Sequence, residues 1–297
     1  LRKIWSDRLI YLMISPVIIY YAIFRYLPMA WLGISFYDYK ILRGLSGSSF
    51  VGLKNFTSFF SNPDFPKLLY NTVILNVYSL IFCFTAPIIF ALLLNELRAK
   101  RFKRVVQTVS YLPYFLSMVV VVGMIYILLS PTMGTLNSFI KSLGFNTINF
   151  MQEPKYFRVI YIISGIWQGI GWGSIVYLSA ITSIDQEMYE AAMVDGASRF
   201  KQVINITIPS LQNTIVIMLI LQVGSLMSVG FEKVYLLQQP TNYSVSEVLS
   251  TYIYKLGVTN ANYSLATAVG LFNSVVSLAL VLASNYFSKK YSETTVL

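Results

Sequence analysis

Long apolar runs separated by short polar islands set the pattern of this chain. The runs cover residues 9–31, 69–94, 105–129, 157–181, 212–231 and 263–287. Each is close to the roughly 20 apolar residues that an α-helix needs to cross a bilayer. The pattern therefore predicts an all-α, polytopic membrane protein with six transmembrane helices. One transmembrane domain is expected over 1–297, with core spans at about 69–287, a first span at about 9–31 and an extracellular segment at about 35–69. Arg25, near the outer end of the first span, is expected to snorkel to the interface. Segments 130–155 and 232–262 are read as outside.

The polar islands orient these spans. Arg98, Lys100, Arg101, Lys103 and Arg104 put five bases within seven residues, and short basic loops stay in the cytoplasm. With six spans, both termini are then cytoplasmic. A second island, 184–209, reads as two short helices. Ser183 and Gln186 have capping-box spacing, so the first is expected to start near Ile184. Gly196 ends it, because glycine takes the left-handed C′ conformation at little cost. The second starts at about Ser198, with Phe200, Val203 and Ile204 on one face. Pro209 is expected to stop it and to open the next span.

This island, with Glu190-Ala191-Ala192, Gly196, Ile206, Ile208 and Pro209, resembles the EAA signature of bacterial ABC importer permeases. Ile208 stands where that pattern usually has leucine. The segment Phe50-Val51-Gly52-Leu53-Lys54-Asn55-Phe56, followed by Asn71-Thr72, is similar to the corresponding region of sugar-importer permeases. The order of elements is most like permeases for oligosaccharide or polysaccharide uptake. The resemblance implies the type I ABC importer transmembrane fold, with 184–209 as the coupling-helix loop in a groove of a separate ATPase. Glu190, Ala191, Ala192, Asp195, Gly196, Ala197, Phe200 and Pro209 are then the ATPase-coupling residues. The implied partners are a second homologous permease, two ATPase subunits, an extracellular solute-binding lipoprotein, a sugar and the lipid of the bacterial cytoplasmic membrane. No cofactor is expected on this chain; ATP and Mg belong to the partner ATPase.

Within the spans, Trp167, Gln168, Trp172 and Tyr177 combine flat aromatic faces with an amide, chemistry that suits a sugar. Gln222 and Asn273 join them as substrate-pathway candidates. Gly165, Gly169 and Gly173 form a small-residue ridge for helix packing, within this chain or against a second subunit.

Composition sharpens the picture by exclusion. Hydrophobic residues make up 56% and charged residues 11%, and mean hydropathy is +0.63. The net charge of +10 comes without a nucleic-acid-binding motif and is assigned to lipid headgroups, not nucleic acid. There is no histidine, which removes the usual metal ligand and general base, so neither a metal site nor a catalytic site is expected. No Gly-Lys-Ser or Gly-Lys-Thr phosphate loop occurs. Acid-free span centres argue against the alternative, a gradient-driven carrier or channel. The single Cys83 excludes an internal disulfide framework. Leu1 stands first, so a short native N-terminus is expected to precede it.

The orientation is testable with cysteines at Ser142 and Ser198. The first should label from outside in intact cells, and the second only after the membrane is opened. The reverse pattern would overturn the six-span topology.

Overall fold

The computed structural model describes residues 8–224 and 230–292. In chain order the elements are α1 (Arg8–Tyr21), β1 (Tyr37–Lys40), β2 (Gly44–Phe50), α2 (Lys54–Phe60), α3 (Phe65–Tyr78), α4 (Phe84–Glu96), α5 (Lys100–Tyr111) and α6 (Met118–Leu129). They continue with α7 (Thr135–Ser142), α8 (Pro154–Thr182), α9 (Gln186–Val194), α10 (Arg199–Gln202), α11 (Ile208–Ser210) and α12 (Gln212–Gly224). Last come α13 (Phe231–Leu237), α14 (Tyr243–Ser246), α15 (Leu249–Tyr254) and α16 (Tyr263–Ser292). Among the described residues four helical stretches are long and apolar enough to span a membrane, and two bent pairs bring the number to six.

Prolines shape the spans without ending them. Pro28, Pro87 and Pro209 each follow a π-helical turn, at Ala22–Tyr26, Ser79–Cys83 and Val203–Thr207. Proline has no N–H to donate, and its ring crowds the carbonyl four residues back. A wider turn just before it relieves that crowding, so the chain stays helical through the proline. Pro209 therefore does not stop the helix that precedes it, contrary to expectation. The bend, of 58°, comes after Ser210. The third span is broken instead: Lys100–Phe115 and Met118–Leu129 meet at 103°. Leu112–Phe115, which holds Pro113, tightens to a 3-10 turn, and Ser117 restarts the helix by accepting a hydrogen bond from the Val120 N–H. The basic residues Lys100, Arg101, Lys103 and Arg104 lie in the first turns of α5, not in a loop.

The chain divides into two compact units, one of residues 1–65 and 252–273, the other of 66–251 and 274–297. The first contains an antiparallel hairpin, β1 with β2, which the sequence pattern does not announce. Gly52 turns the chain after it at φ +57°, and the Asn55 amide donates to the carbonyls of Ser35 and Tyr37. These are residues of the sugar-permease-like segment, and their work here is to close a turn. Phe59, fully buried, packs edge-on against Phe65 and also meets Tyr252 and Phe272.

The second unit is built on α8. One cluster gathers Leu75, Val122, Phe157, Tyr161, Ile162, Val234 and Val248; another holds Ala91, Tyr177, Ile181 and Leu211. Segment 232–262, expected as an outer loop, is different. It is a series of short helices whose Lys233, Val234, Leu237, Val248 and Leu249 are buried. Its backbone is held by amide side chains. Asn71 donates to the carbonyls of Ser244 and Glu247, and Asn242 to those of Met151 and Leu237. Thr72 accepts from the Leu249 N–H at 2.9 Å. A similar hub lies in 130–150, where buried Asn137 donates towards the carbonyls of Leu129, Ser130 and Ile148 and accepts the Ile148 N–H at 2.7 Å.

Unmade buried hydrogen bonds cost about 1–3 kcal/mol each. Asn137→Ala should therefore lower the thermal midpoint of the detergent-purified protein by several degrees, whereas Ser142→Ala, at an exposed site, should not. Equal midpoints for the two variants would show that this hub does not hold the segment.

Candidate functional site

The polar island at 184–209 forms two short helices joined at Gly196, and local bonds explain each boundary. Helix α8 runs on to Thr182, and the Ser183 hydroxyl donates back to the Ala180 carbonyl. Ser183 therefore caps nothing downstream; the N-cap of α9 is Asp185, whose carboxylate accepts the Glu187 N–H at 3.0 Å. Asp wins because its backbone is already extended, at φ −60° and ψ 126°, whereas Ser183 is still helical.

At the other end Gly196 takes φ +72°. Its N–H donates to the Met193 carbonyl, and the Ala197 N–H reaches the Ala192 carbonyl. These are the two bonds of a Schellman turn. Ser198 then caps α10 by accepting from the Lys201 N–H, so the glycine turn and the second helix both stand as expected.

Three contacts brace the pair. The Tyr189 hydroxyl meets Thr207 Oγ1 at 2.9 Å, the Gln202 amide donates to the Ala197 carbonyl, and Arg199 Nη1 donates to Glu96 Oε2 at 3.1 Å. The last bond ties α10 to the end of α4 and was not expected from sequence. It joins residues 103 positions apart, a distance that no local pattern reports.

The outer surface of the element carries the residues assigned to coupling. Glu190, Ala191, Asp195, Gly196 and Pro209 are exposed, while Ala192 and Ala197 are half-buried. Phe200 is 74% exposed and Val194 88%, with Met193 also exposed beside them. The element thus leaves large apolar side chains in the open on the same short stretch that exposes Ala191 and Gly196. Helix α10 continues through the π turn into α11 and then α12, so this surface is mechanically joined to the fifth span.

The second place of interest is the break in the third span. Tyr114 stacks on Trp172 at 4.7 Å with the rings 6° from parallel, and Phe115 meets Trp172 edge-on. All three are substantially exposed. Gln168 Nε2 donates to the Leu116 carbonyl at 3.3 Å, which satisfies a backbone acceptor at the break. Of the pathway candidates, Trp172 and Gln168 therefore come together, with Tyr114 and Phe115 as additions. Trp167 does not join them, because five residues turn a helix by about 140° relative to Trp172. Tyr177 is 2% exposed and packs with Ala91, Ile181 and Leu211; it is a core residue, not a pathway one. Gln222 is exposed on α12, and Asn273 Oδ1 is buried without a hydrogen-bond partner.

The glycine ridge divides similarly. A Cβ at Gly173 would press on Pro87, one at Gly165 on Cys83 and Lys233, and one at Gly169 on nothing. Gly171, outside the ridge, is tighter, because its Cβ would collide with the Ser110 carbonyl.

Residues 83–293 match the family described as the binding-protein-dependent transport system inner membrane component. The chain belongs to that family. This transport component is 43% identical over 287 residues to "Protein LplB" of Bacillus subtilis, covering 97% of this chain and 90% of that one. It is equally similar, over 293 residues and 99% of its length, to 91% of the polygalacturonan/rhamnogalacturonan transport system permease YteP of the same organism. Among solved structures, it superimposes with a TM-score of 0.93 and 41% identity on a chain of a bacterial alginate ABC transporter in complex with alginate pentasaccharide-bound periplasmic protein. That match covers 99% of both chains. A second structure, of a transporter that imports the acidic polysaccharide alginate, gives a TM-score of 0.92 over 98%. The all-α membrane-permease fold expected from the sequence is thereby shown, and so is the transport family.

The Gly196 turn yields a local test. Nothing lies within 4 Å of where a Cβ would stand, so Gly196→Ala is resisted by the positive φ alone. That strain is about 1 kcal/mol. Amide exchange at Ala197 should quicken about fivefold in Gly196→Ala and stay unchanged in Asn205→Ala. Unchanged exchange in both would mean the turn does not depend on glycine.

Proposed function

We propose that this chain is one permease subunit of an ATP-driven importer and forms part of the pathway for a sugar, specifically an oligosaccharide. The observation that carries the reading is the exposed two-helix element at 184–209, with its apolar Phe200 and its small-residue floor, on a chain of a binding-protein-dependent transport family. The named relatives move polygalacturonan/rhamnogalacturonan and alginate, which supports an oligosaccharide cargo here.

In this reading the 184–209 element docks on an ATPase subunit through Glu190, Ala191, Ala192, Asp195, Gly196, Ala197 and Phe200. Pro209 stands just ahead of the 58° bend that leads into α12. A second permease, a pair of ATPase subunits and an extracellular solute-binding lipoprotein complete the complex. ATP and Mg act on the ATPase, and this chain binds neither. The protein lies in the bacterial cytoplasmic membrane with both termini inside.

Closure of the ATPase pair moves the docked element. The movement passes along α10 to α12, and across the Arg199–Glu96 bond to α4, so two spans shift together. That bond is half exposed and worth about 1 kcal/mol or less. It orients the element; it does not drive the motion. On the substrate side, the Tyr114–Trp172 pair offers a flat aromatic face on which the C–H face of a sugar ring can stack, with Gln168 and Phe115 beside it.

The chain should co-purify with a different permease and an ATPase and hydrolyse no ATP alone. Gly196→Arg should abolish ATP-dependent uptake while the complex still assembles, because a long side chain separates the docked surfaces. Glu190→Ala should act in the same direction more mildly, and Asn205→Ala should be near neutral. A transport-competent homodimer without any ATPase would establish the gradient-driven alternative, and normal uptake in Gly196→Arg would remove the 184–209 element from the coupling path.

A further inference from the structure

A buried positive charge is left over once the docking element and the aromatic face have been described. Lys233, on α13, is 5% exposed, and it is the one charged side chain in the buried set among the described residues. Its Nζ donates to the Tyr161 carbonyl at 2.9 Å and lies 4.8 Å from the centroid of the Tyr161 ring. Cys83 and Gly165 lie beside it: a Cβ on Gly165 would sit 3.2 Å from the Cys83 sulfur and 3.4 Å from the ammonium. The absence of a side chain at Gly165 is therefore what makes room for the charge. Among the described residues no carboxylate pairs with it, since the ion pairs on the second unit are made by Lys67, Lys155 and Arg199.

An ammonium has three protons to donate. A single carbonyl and a ring face leave that capacity incompletely used, in surroundings where an unpaired charge is costly. If the side chain served only to pin α13 to α8, a neutral donor would make the same bond to Tyr161 without taking a charge out of water. The charge itself asks for an anion.

Position indicates which anion. Gly165, Gly169 and Trp172 follow one another at i, i+4 and i+7 on α8, and so share one face. The ammonium caps Gly165, open space lies over Gly169, and the Tyr114–Trp172 stack begins one turn further on. From Gly165 to Trp172 the helix rises about 10 Å, a length that a short oligosaccharide covers. We propose that Lys233 reads a carboxylate on the transported glycan, so that the cargo is an oligouronide and not a neutral sugar. The proposal rests on the sugar-importer reading above and extends it to a substrate class. The acidic polysaccharide named for one structural relative agrees with it.

The test uses the assembled importer with its binding protein in proteoliposomes. The probes are galacturonate and mannuronate trisaccharides, each paired with its carboxyl-reduced, neutral counterpart. Wild type should take up an acidic trisaccharide in preference to its reduced form. Lys233→Met, which keeps length and volume, should lower acidic uptake relative to reduced uptake at least about tenfold, the worth of a charge-assisted hydrogen bond. Lys233→Arg should restore the preference. A lysine that merely pinned helices would change both uptakes alike.

If Lys233→Met fails to assemble, the wild-type complex answers through the single cysteine. Alkylation of Cys83, read by mass spectrometry on its peptide, should slow when the acidic trisaccharide is present and not when the reduced one is. Preference for the neutral forms, an unchanged ratio in Lys233→Met, or Cys83 alkylation indifferent to the acidic glycan would overturn the assignment and leave the sugar importer standing. Failure of wild type to move any glycan, charged or neutral, would instead remove the sugar reading and this proposal with it.

Discussion

Inside a bilayer a backbone N–H or C=O that loses its helical partner finds no water to replace it. Much of the second unit can be understood as an answer to that constraint. The chain breaks or bends its helices at several places, and side chains or wider turns take up backbone groups there. Gln168 does this with its amide at the broken third span, reaching the Leu116 carbonyl, and Asn137, Asn71 and Asn242 satisfy buried carbonyls of the segments expected outside in the same way. The π turns do it near Pro87 and Pro209 without any side chain. Irregular backbone is thus available near the aromatic stack and around Lys233, where straight helices would present only their flanks.

The spans, the family and the two-helix element were legible in the sequence because their signals are local. Apolar runs of about 20 residues read directly as membrane helices, and Gly196 reads as a turn because only its φ is at issue. What stayed hidden depends on residues far apart in the chain. Ser183 and Gln186 do have capping-box spacing, yet α8 runs on to Thr182 and leaves Asp185 to do the capping. Tyr177 and Trp172 look alike as aromatic residues in one span. Five positions of helical rotation put one in the core and the other on an open face. Segment 232–262 has the look of an outer loop because it is short of long apolar runs. Its short helices are nonetheless buried, with Asn71 donating to two of their carbonyls and Thr72 accepting one of their N–H groups.

The two regions of interest are linked by geometry. Helix α8 carries Gly165 and Trp172 on one face and ends at Thr182, three residues before the N-cap of α9. Helix α12 leaves the same two-helix element on its other side. The element therefore lies between one helix that faces the aromatic stack and another that leads back into the membrane, which is the arrangement a force-transmitting hinge requires.

Gly171 has a consequence for how such a hinge can move. With hydrogen in place of a side chain, α8 lies directly against the backbone of Ser110 on α5. Two helices in backbone contact have no compliant side chains between them to absorb a slide. A slide of one past the other is therefore resisted at this point, and the nearest break in the path is the 103° corner at Leu116 and Ser117. The Tyr114–Trp172 stack sits at that corner, so any change of its angle would be felt first at those rings.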